Sequence, residues 1–383
     1  MDFEFNEEQR MLRESVRRML NDVATPEYIR ETDREGRYPY EVYQGFVDLG
    51  LIAMVFPEEY GGLGGNIMDF VAVSEEIGRT SYDYLGGYGL SVFNGLNLLH
   101  NGSEEQKQYY IPKLINGEIR MSISMTEPDA GSDAGAMHTN AVLDGDEWVI
   151  NGQKVFSTGA GARDNVICLY AKTDLNADYK KGISLFLVDN TTPGLNLRKL
   201  DTLGRRAIGT YEVFIENMRI PKERLVGEVN KGWKYMLSGL QLERVMTTAG
   251  YCGAAQATVD LAVQYAKERK QFGHPIGDFQ SIAHMLADMQ TQVEAARMLM
   301  LKAAWEMSVG RDALKTLSMA KLMASEAYVK AANDGMQIMG GYGYIMEFDM
   351  QRHFRESRST TIAAGTSQMQ RNLIARQMGL NPR

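Results

Sequence analysis

The 383-residue chain has only two cysteines, Cys168 and Cys252, and five histidines. Two thiols build no disulfide framework and cannot alone close a structural zinc site. The histidines, at 100, 138, 274, 284 and 353, show neither HExxH nor any paired ligand spacing, so no metal is expected. Positive charge is in deficit: 41 Lys and Arg against 49 Asp and Glu leave −8. Nucleic-acid binding favours the opposite balance, which argues against that class of partner. No apolar run approaches the ~20 residues that cross a bilayer. The N-terminus, Met1-Asp2-Phe3-Glu4-Phe5-Asn6-Glu7-Glu8, is acidic and lacks the basic, apolar design of a signal peptide. A cytoplasmic, thiol-reducing home without membrane association is the expectation. Common nucleotide and hydrolase motifs are missing too. Gly159-Ala160-Gly161 continues as Ala162-Arg163-Asp164, which is not GxGxxG, and Trp233 stands where a P-loop after Gly227 and Gly232 needs lysine. There is no GxSxG elbow.

What the chain does have is the stock of a folded globular protein, with 44% hydrophobic and 23% charged residues. At about 150 residues per domain, its length allows two or three domains. The hydrophobic period changes twice. Residues 1–115 read as helical: Asn6 and Gln9 form a capping pair, and Leu12, Val16, Met19 and Leu20 recur at helical spacing. Pro57-Glu58-Glu59-Tyr60-Gly61-Gly62 and Gly86-Gly87-Tyr88-Gly89 are expected to break that pattern. Residues 116–228 read as a β domain, with strands expected over 166–173, 183–188 and 211–215. Asn151-Gly152 tolerates positive φ and predicts a type I′ hairpin between Trp148-Val149-Ile150 and Lys154-Val155-Phe156. Residues 229–383 return to the helical period, with stripes such as Met285, Leu286 and Met289, or Leu317, Ala320 and Ala324. The expected class is α+β: an N-terminal helical domain, a central β-barrel-like domain and a C-terminal four-helix bundle.

Five segments carry chemical information. Met125-Thr126-Glu127-Pro128-Asp129-Ala130-Gly131-Ser132-Asp133 lies where helices give way to strands, and its small and hydroxyl residues suit close approach of a polar ring or phosphate. Val155-Phe156-Ser157-Thr158-Gly159 ends a strand, and Glu268-Arg269-Lys270-Gln271-Phe272-Gly273 ends a helix. Gln337-Ile338-Met339-Gly340-Gly341-Tyr342-Gly343 permits close backbone approach, and Gly365-Thr366-Ser367-Gln368-Met369-Gln370 follows it. Singly, each matches an ordinary turn or a helix end.

Together, in this order, the TEPxAGSD stretch, the NGxK segment, the RxxFG helix end, the QxxGGxG turn and the GTSQ segment resemble the acyl-CoA dehydrogenase family over nearly the whole chain. The resemblance implies FAD held non-covalently between the β domain and the C-terminal bundle. It also implies a homotetramer built as a dimer of dimers, an acyl-CoA substrate, and electron-transferring flavoprotein as acceptor. By the same resemblance Met125, Thr126 and Thr158 contact the flavin ring, and Phe156 packs on it. Arg269, Gln271 and Phe272 match positions that reach the pyrophosphate and adenosine of a neighbouring subunit's FAD, Gln337, Gly340 and Gly341 match the loop on that same nucleotide, and Thr366 and Gln368 match further adenosine or pyrophosphate contacts. Ser132 matches a residue near the CoA pantetheine or phosphate, and Arg244 an arginine beside the active site.

One departure concerns the base. Most members carry a catalytic glutamate immediately before the Gly-Thr pair; here Ala363 and Ala364 stand there. The isovaleryl-CoA and long-chain members place the base on a helix directly before the arginine, and this chain has Leu242-Glu243-Arg244 at that point. Leu240, Glu243, Thr247 and Gly250 share one weakly polar helix face. Partial desolvation there would raise the carboxyl pKa toward a range useful to a general base. Glu243 is therefore the candidate base, although a glutamate beside an arginine on a helix is commonly a solvated surface residue. The segment Tyr82-Asp83-Tyr84-Leu85-Gly86-Gly87-Tyr88-Gly89 is expected to line the acyl pocket, with Tyr84 and Tyr88 as substrate contacts. With two alanines in place of larger residues, it suggests a branched or aryl-substituted acyl group, while packing of these aromatics into the helices explains them equally well. Three rivals stay open. They are an enoyl-CoA reductase running in reverse, a flavin oxidase or monooxygenase of this fold, and a silent flavin- or CoA-binding homologue.

Overall fold

The computed structural model describes residues 4–382; Met1, Asp2 and Phe3 of the acidic N-terminus lie outside the described residues. The chain divides into two compact units, each drawn from separated stretches of sequence. One unit holds residues up to 31, 66–85 and 244 onward; the other holds 32–65 and 86–243.

The helices are α1 (Glu7–Val23), α2 (Pro26–Glu35), α3 (Tyr40–Asp48), α4 (Ile67–Thr80), α5 (Tyr82–Asn101), α6 (Glu104–Ile115), α7 (Gly232–Glu268), α8 (Gln280–Ser308), α9 (Leu314–Met339), α10 (Gly341–Tyr344), α11 (Met350–Thr360) and α12 (Ser367–Gln377). Asn6 caps α1 as the sequence suggests, with its side chain on Gln9 N–H and the Gln9 side chain returning to Asn6 N–H. In the helical unit α9 packs against α8, α11 and α12, and α4 against α1 and α8. Close approach of α4 to α7 uses glycine: a Cβ on Gly78 would lie 2.5 Å from the Gly250 Cα. Two buried carboxylates near this contact pair with more exposed arginines, Glu75 with Arg297 at 2.8 Å and Glu76 with Arg17 at 2.7 Å.

The other unit is built on a sheet whose strands are β1 (Arg120–Ser124), β2 (Asn140–Asp144), β3 (Glu147–Thr158), β4 (Asn165–Lys172), β5 (Ile183–Asp189), β6 (Leu195–Lys199), β7 (Thr210–Pro221) and β8 (Leu225–Val226). Pairing runs β6-β7-β3-β2-β4-β5-β8, with β1 on β4 in parallel. The sheet is open, ending at β6 and β8, where the sequence suggested a barrel-like closure. Its core includes Trp148, Ile150, Ile167, Leu169, Phe186, Val213 and Ile220.

Two sequence expectations are corrected. Asn151-Gly152 makes no hairpin; it lies inside the continuous strand β3. The turn falls one dipeptide motif earlier, at Gly145-Asp146 between β2 and β3, with Gly145 at φ +64. Gly152 is needed for a different reason: a Cβ there would lie 2.7 Å from the Thr139 Cα. Gly86-Gly87-Tyr88-Gly89 does not break a helix but runs through α5. A Cβ on Gly86 would overlap the Arg205 guanidinium, and one on Gly87 would lie 3.2 Å from Tyr38 Oη. Helix propensity is given up so that neighbours can approach.

Candidate active site

The sheet unit brings two of the predicted segments together. Chain leaving β1 at Ser124 runs beside the end of β3. Val155 N–H donates to the Thr126 carbonyl at 2.8 Å, and the Ser124 and Ser157 hydroxyls share a 2.7 Å hydrogen bond. A register shift between Lys154 and Ser157 lets Phe156 adopt φ +60, leaving its ring 64% exposed. Thr158 Oγ1 lies 3.4 Å from Thr210 Oγ1. Ser132 is exposed in the loop that follows.

Beneath this junction lies an ion pair that motif reading did not single out. Lys154 is wholly buried, and its ammonium donates to Glu127 Oε1 at 2.8 Å and to the Met125 carbonyl at 3.1 Å. Glu127 also accepts from the backbone N–H groups of His138 and Thr139 at 2.5 and 2.9 Å. Burial pushes the Lys154 pKa down to about 8, with Glu127 holding it from falling further. Burial works to raise the Glu127 carboxyl, yet Lys154 and the N–H donors hold it below its usual range. The available signal was a glutamate and a lysine inside two glycine-rich motifs, 27 residues apart.

Glu243 lies half-buried on α7. The buried Tyr170 phenol on β4 accepts from Asn97 Nδ2 at 3.3 Å. Its pKa is raised chiefly by burial, with the charge of Glu243 adding to the effect. Tyr88 packs edge-on against Phe46 at 5.6 Å and is fully buried.

The helical unit holds the remaining predicted residues. Ala364 sits at φ +55, and its carbonyl faces Arg244 Nε at 3.5 Å. Gln370 Nε2 donates to the Gly365 carbonyl at 3.0 Å, and buried Lys321 donates to the Gly365 and Thr360 carbonyls at 2.8 and 2.9 Å. The turn is thus held without a carboxylate at 363 or 364. Thr366 caps α12 by accepting from Met369 N–H at 3.1 Å, and Gln368 is exposed beside it. Tyr84 packs edge-on against Tyr28 at 6.3 Å.

A cavity of about 520 Å³ unites Arg269 and Gln271 with Gly340, Gly341 and Tyr342. The Arg269 guanidinium lies 5.7 Å from the Tyr342 ring. Gln337, exposed on the last turn of α9, is outside this lining. Phe272 and Gly273, at φ +52 and +85, turn a short hairpin between β9 (Lys270–Gln271) and β10 (His274–Pro275), leaving Phe272 92% exposed.

Three family models cover the chain. They are the acyl-CoA dehydrogenase N-terminal domain over residues 6–118, the middle domain over 122–218 and the C-terminal domain over 230–379. The chain belongs to the acyl-CoA dehydrogenase family. A probable acyl-CoA dehydrogenase of Bacillus subtilis, YngJ, is 40% identical over 380 residues, spanning 99% of this chain and 100% of the relative. The caffeyl-CoA reductase–Etf complex subunit CarC of Acetobacterium woodii is 39% identical over 375 residues, 97% of this chain and 98% of the relative. The solved glutaryl-coenzyme A dehydrogenase in complex with glutaryl-CoA superposes with a TM-score of 0.94 at 37% identity, covering 99% of this chain and 97% of that one.

As a family member the protein is an oxidoreductase, and its cofactor is FAD. The residues present fit that group. Arg269 would supply a cation for a pyrophosphate and Tyr342 an aromatic face, and a Cβ on Gly340 or Gly341 would meet nothing within 4 Å, which leaves open space along that backbone. No described helix is long and apolar enough to cross a membrane, and no described group of His, Cys, Asp and Glu could hold a metal ion.

Proposed function

We propose that this acyl-CoA dehydrogenase family member oxidises a branched or aryl-substituted acyl-CoA to the 2-enoyl-CoA, with Glu243 as the base. The observation that carries the assignment is a half-buried Glu243 directly before Arg244 on α7, in a chain whose Ala363 and Ala364 cannot take a proton. Glu243 removes the α-proton of the thioester. FAD, when bound, supplies the two-electron acceptor for the hydrogen leaving the β-carbon. Met125, Thr126, Phe156 and Thr158 hold the ring end of the cofactor. Arg269, Gln271, Phe272, Gln337, Gly340 and Gly341 hold the nucleotide end of a neighbouring subunit's FAD, and Thr366 and Gln368 add further contacts to an adenosine or pyrophosphate. Arg244 ties α7 to the Ala364 turn, and Ser132, Tyr84 and Tyr88 belong to the substrate's surroundings. A homotetramer, electron-transferring flavoprotein as partner and a cytoplasmic setting complete the proposal.

A second reading keeps every residue role and reverses the direction, so that Glu243 gives a proton to the α-carbon of an enoyl-CoA. The similarity to a caffeyl-CoA reductase–Etf subunit supports it and also favours an aryl acyl group. The deciding experiment is an anaerobic titration of the yellow protein with straight-chain, branched and aryl-substituted acyl-CoAs, followed in the flavin band. Bleaching by the branched or aryl class supports the dehydrogenase. If only the matching enoyl-CoAs reoxidise a chemically reduced protein, the reductase stands. If neither occurs, both readings fail.

A further inference from the structure

The peptide between Met125 and Thr126 is anchored on one side only. Its carbonyl accepts from the Lys154 ammonium at 3.1 Å. In a trans peptide the N–H points the opposite way. The Thr126 N–H makes no hydrogen bond among the described residues. The cation is held by Glu127 at 2.8 Å, and the Met137 sulfur at 3.8 Å completes its surroundings. Lys154 is wholly buried and Glu127 is 5% exposed. A buried ion pair of this kind adds little net stability compared with an apolar pair of similar size. Its effect lies in placement and polarity. A cation on a carbonyl polarises the whole peptide, making the N–H at its other end a stronger donor.

We propose that Lys154 is a positioning residue for the flavin: through the Met125 carbonyl it fixes and polarises the Thr126 N–H, which then favours the more negative, reduced form of the cofactor. The inference rests on the reading of Met125, Thr126, Phe156 and Thr158 as the flavin-ring contacts. Ser124–Ser157 and Val155–Thr126 hold the two segments in register. Lys154 therefore contributes charge and local placement rather than the joining of the strands.

The test uses the full-length double variant Lys154→Met/Glu127→Leu, which removes both charges and leaves neither buried alone. Glu127→Gln is the milder second variant should the double one fold poorly. Apoprotein melting, FAD affinity on reconstitution and the reduction potential of the bound flavin are measured for each. The expected result is a folded apoprotein that prefers oxidised over reduced flavin at least tenfold more than wild type does. That corresponds to a potential lower by about 30 mV for a two-electron couple. Glu127→Gln withdraws the carboxylate that keeps the buried Lys154 amine charged, so the amine sheds its proton and the potential moves in the same direction. Wild-type potential and FAD affinity in both variants would overturn the proposal. Failure of the underlying reading shows separately: Phe156→Ala and Thr158→Ala would then leave FAD affinity and the flavin spectrum unchanged.

Discussion

Acid should loosen α11 through one histidine. His353 is 4% exposed, and its Nδ1 lies 3.0 Å from the hydroxyl of buried Tyr328. Burial lowers its pKa from 6.5 to about 3, and neighbouring Arg352 adds to the effect while Asp349 opposes it. The folded pKa lies below the unfolded one, so the folded state binds fewer protons between pH 6.5 and 3. Stability is therefore intact above about 6.5 and is lost as the pH falls through that window. The gap between 6.5 and about 3 comes to about 5 kcal/mol over the whole window, of which about 3 kcal/mol is gone by pH 4.5. His353→Asn keeps an acceptor near the Nδ1 position and removes the titration. Amide hydrogen exchange of α11 at pH 7.5 and pH 4.5 reads the opening free energy of that helix in each protein. At pH 7.5 the variant should be the weaker by about 1–3 kcal/mol, from the smaller side chain. Between pH 7.5 and 4.5 it should lose about 3 kcal/mol less than wild type. Equal losses would show that His353 is not held neutral in the fold and would refute the argument.

The helical unit predicts a steric limit as well. A Cβ on Gly253 would overlap the Glu75 carbonyl, so Gly253→Ala should cost about 3 kcal/mol and lower the melting temperature measurably. Gly341→Leu should leave apoprotein melting unchanged, since a Cβ there meets nothing, while reconstitution shows FAD affinity reduced by tenfold or more. Phe156→Gly should relieve a positive φ of about 1 kcal/mol and raise apoprotein stability, yet weaken FAD binding, because the exposed ring is lost.

Local signals were legible where one short segment decides the structure. The apolar run of β4 and the capping pair of α1 are of this kind. Dipeptide rules failed where tertiary packing set the backbone. Asn151-Gly152 satisfies the turn pattern, but Thr139 crowds Gly152 and the strand runs straight through. Four residues containing three glycines resemble a break, yet Arg205 and Tyr38 occupy the space that side chains would fill in α5. At the site the same division holds. Resemblance located Arg269 and Gly340 separately, and only folding shows them lining one cavity, because about 70 residues, α8 and α9 among them, intervene. Lys154 and Glu127 sit inside recognised motifs, but a buried pair between two strands' ends leaves no periodic trace. Phe272 reads as the end of a helix, whereas its positive φ makes it half of a two-residue turn.

The most direct test of the central claim is rapid anaerobic mixing of Glu243→Gln with the acyl-CoA that bleaches the wild-type flavin. The account predicts a variant that keeps its FAD and still binds the thioester, with flavin reduction slowed by at least a thousandfold. A variant that retains FAD and is reduced at close to the wild-type rate would contradict it and remove Glu243 from the role of base.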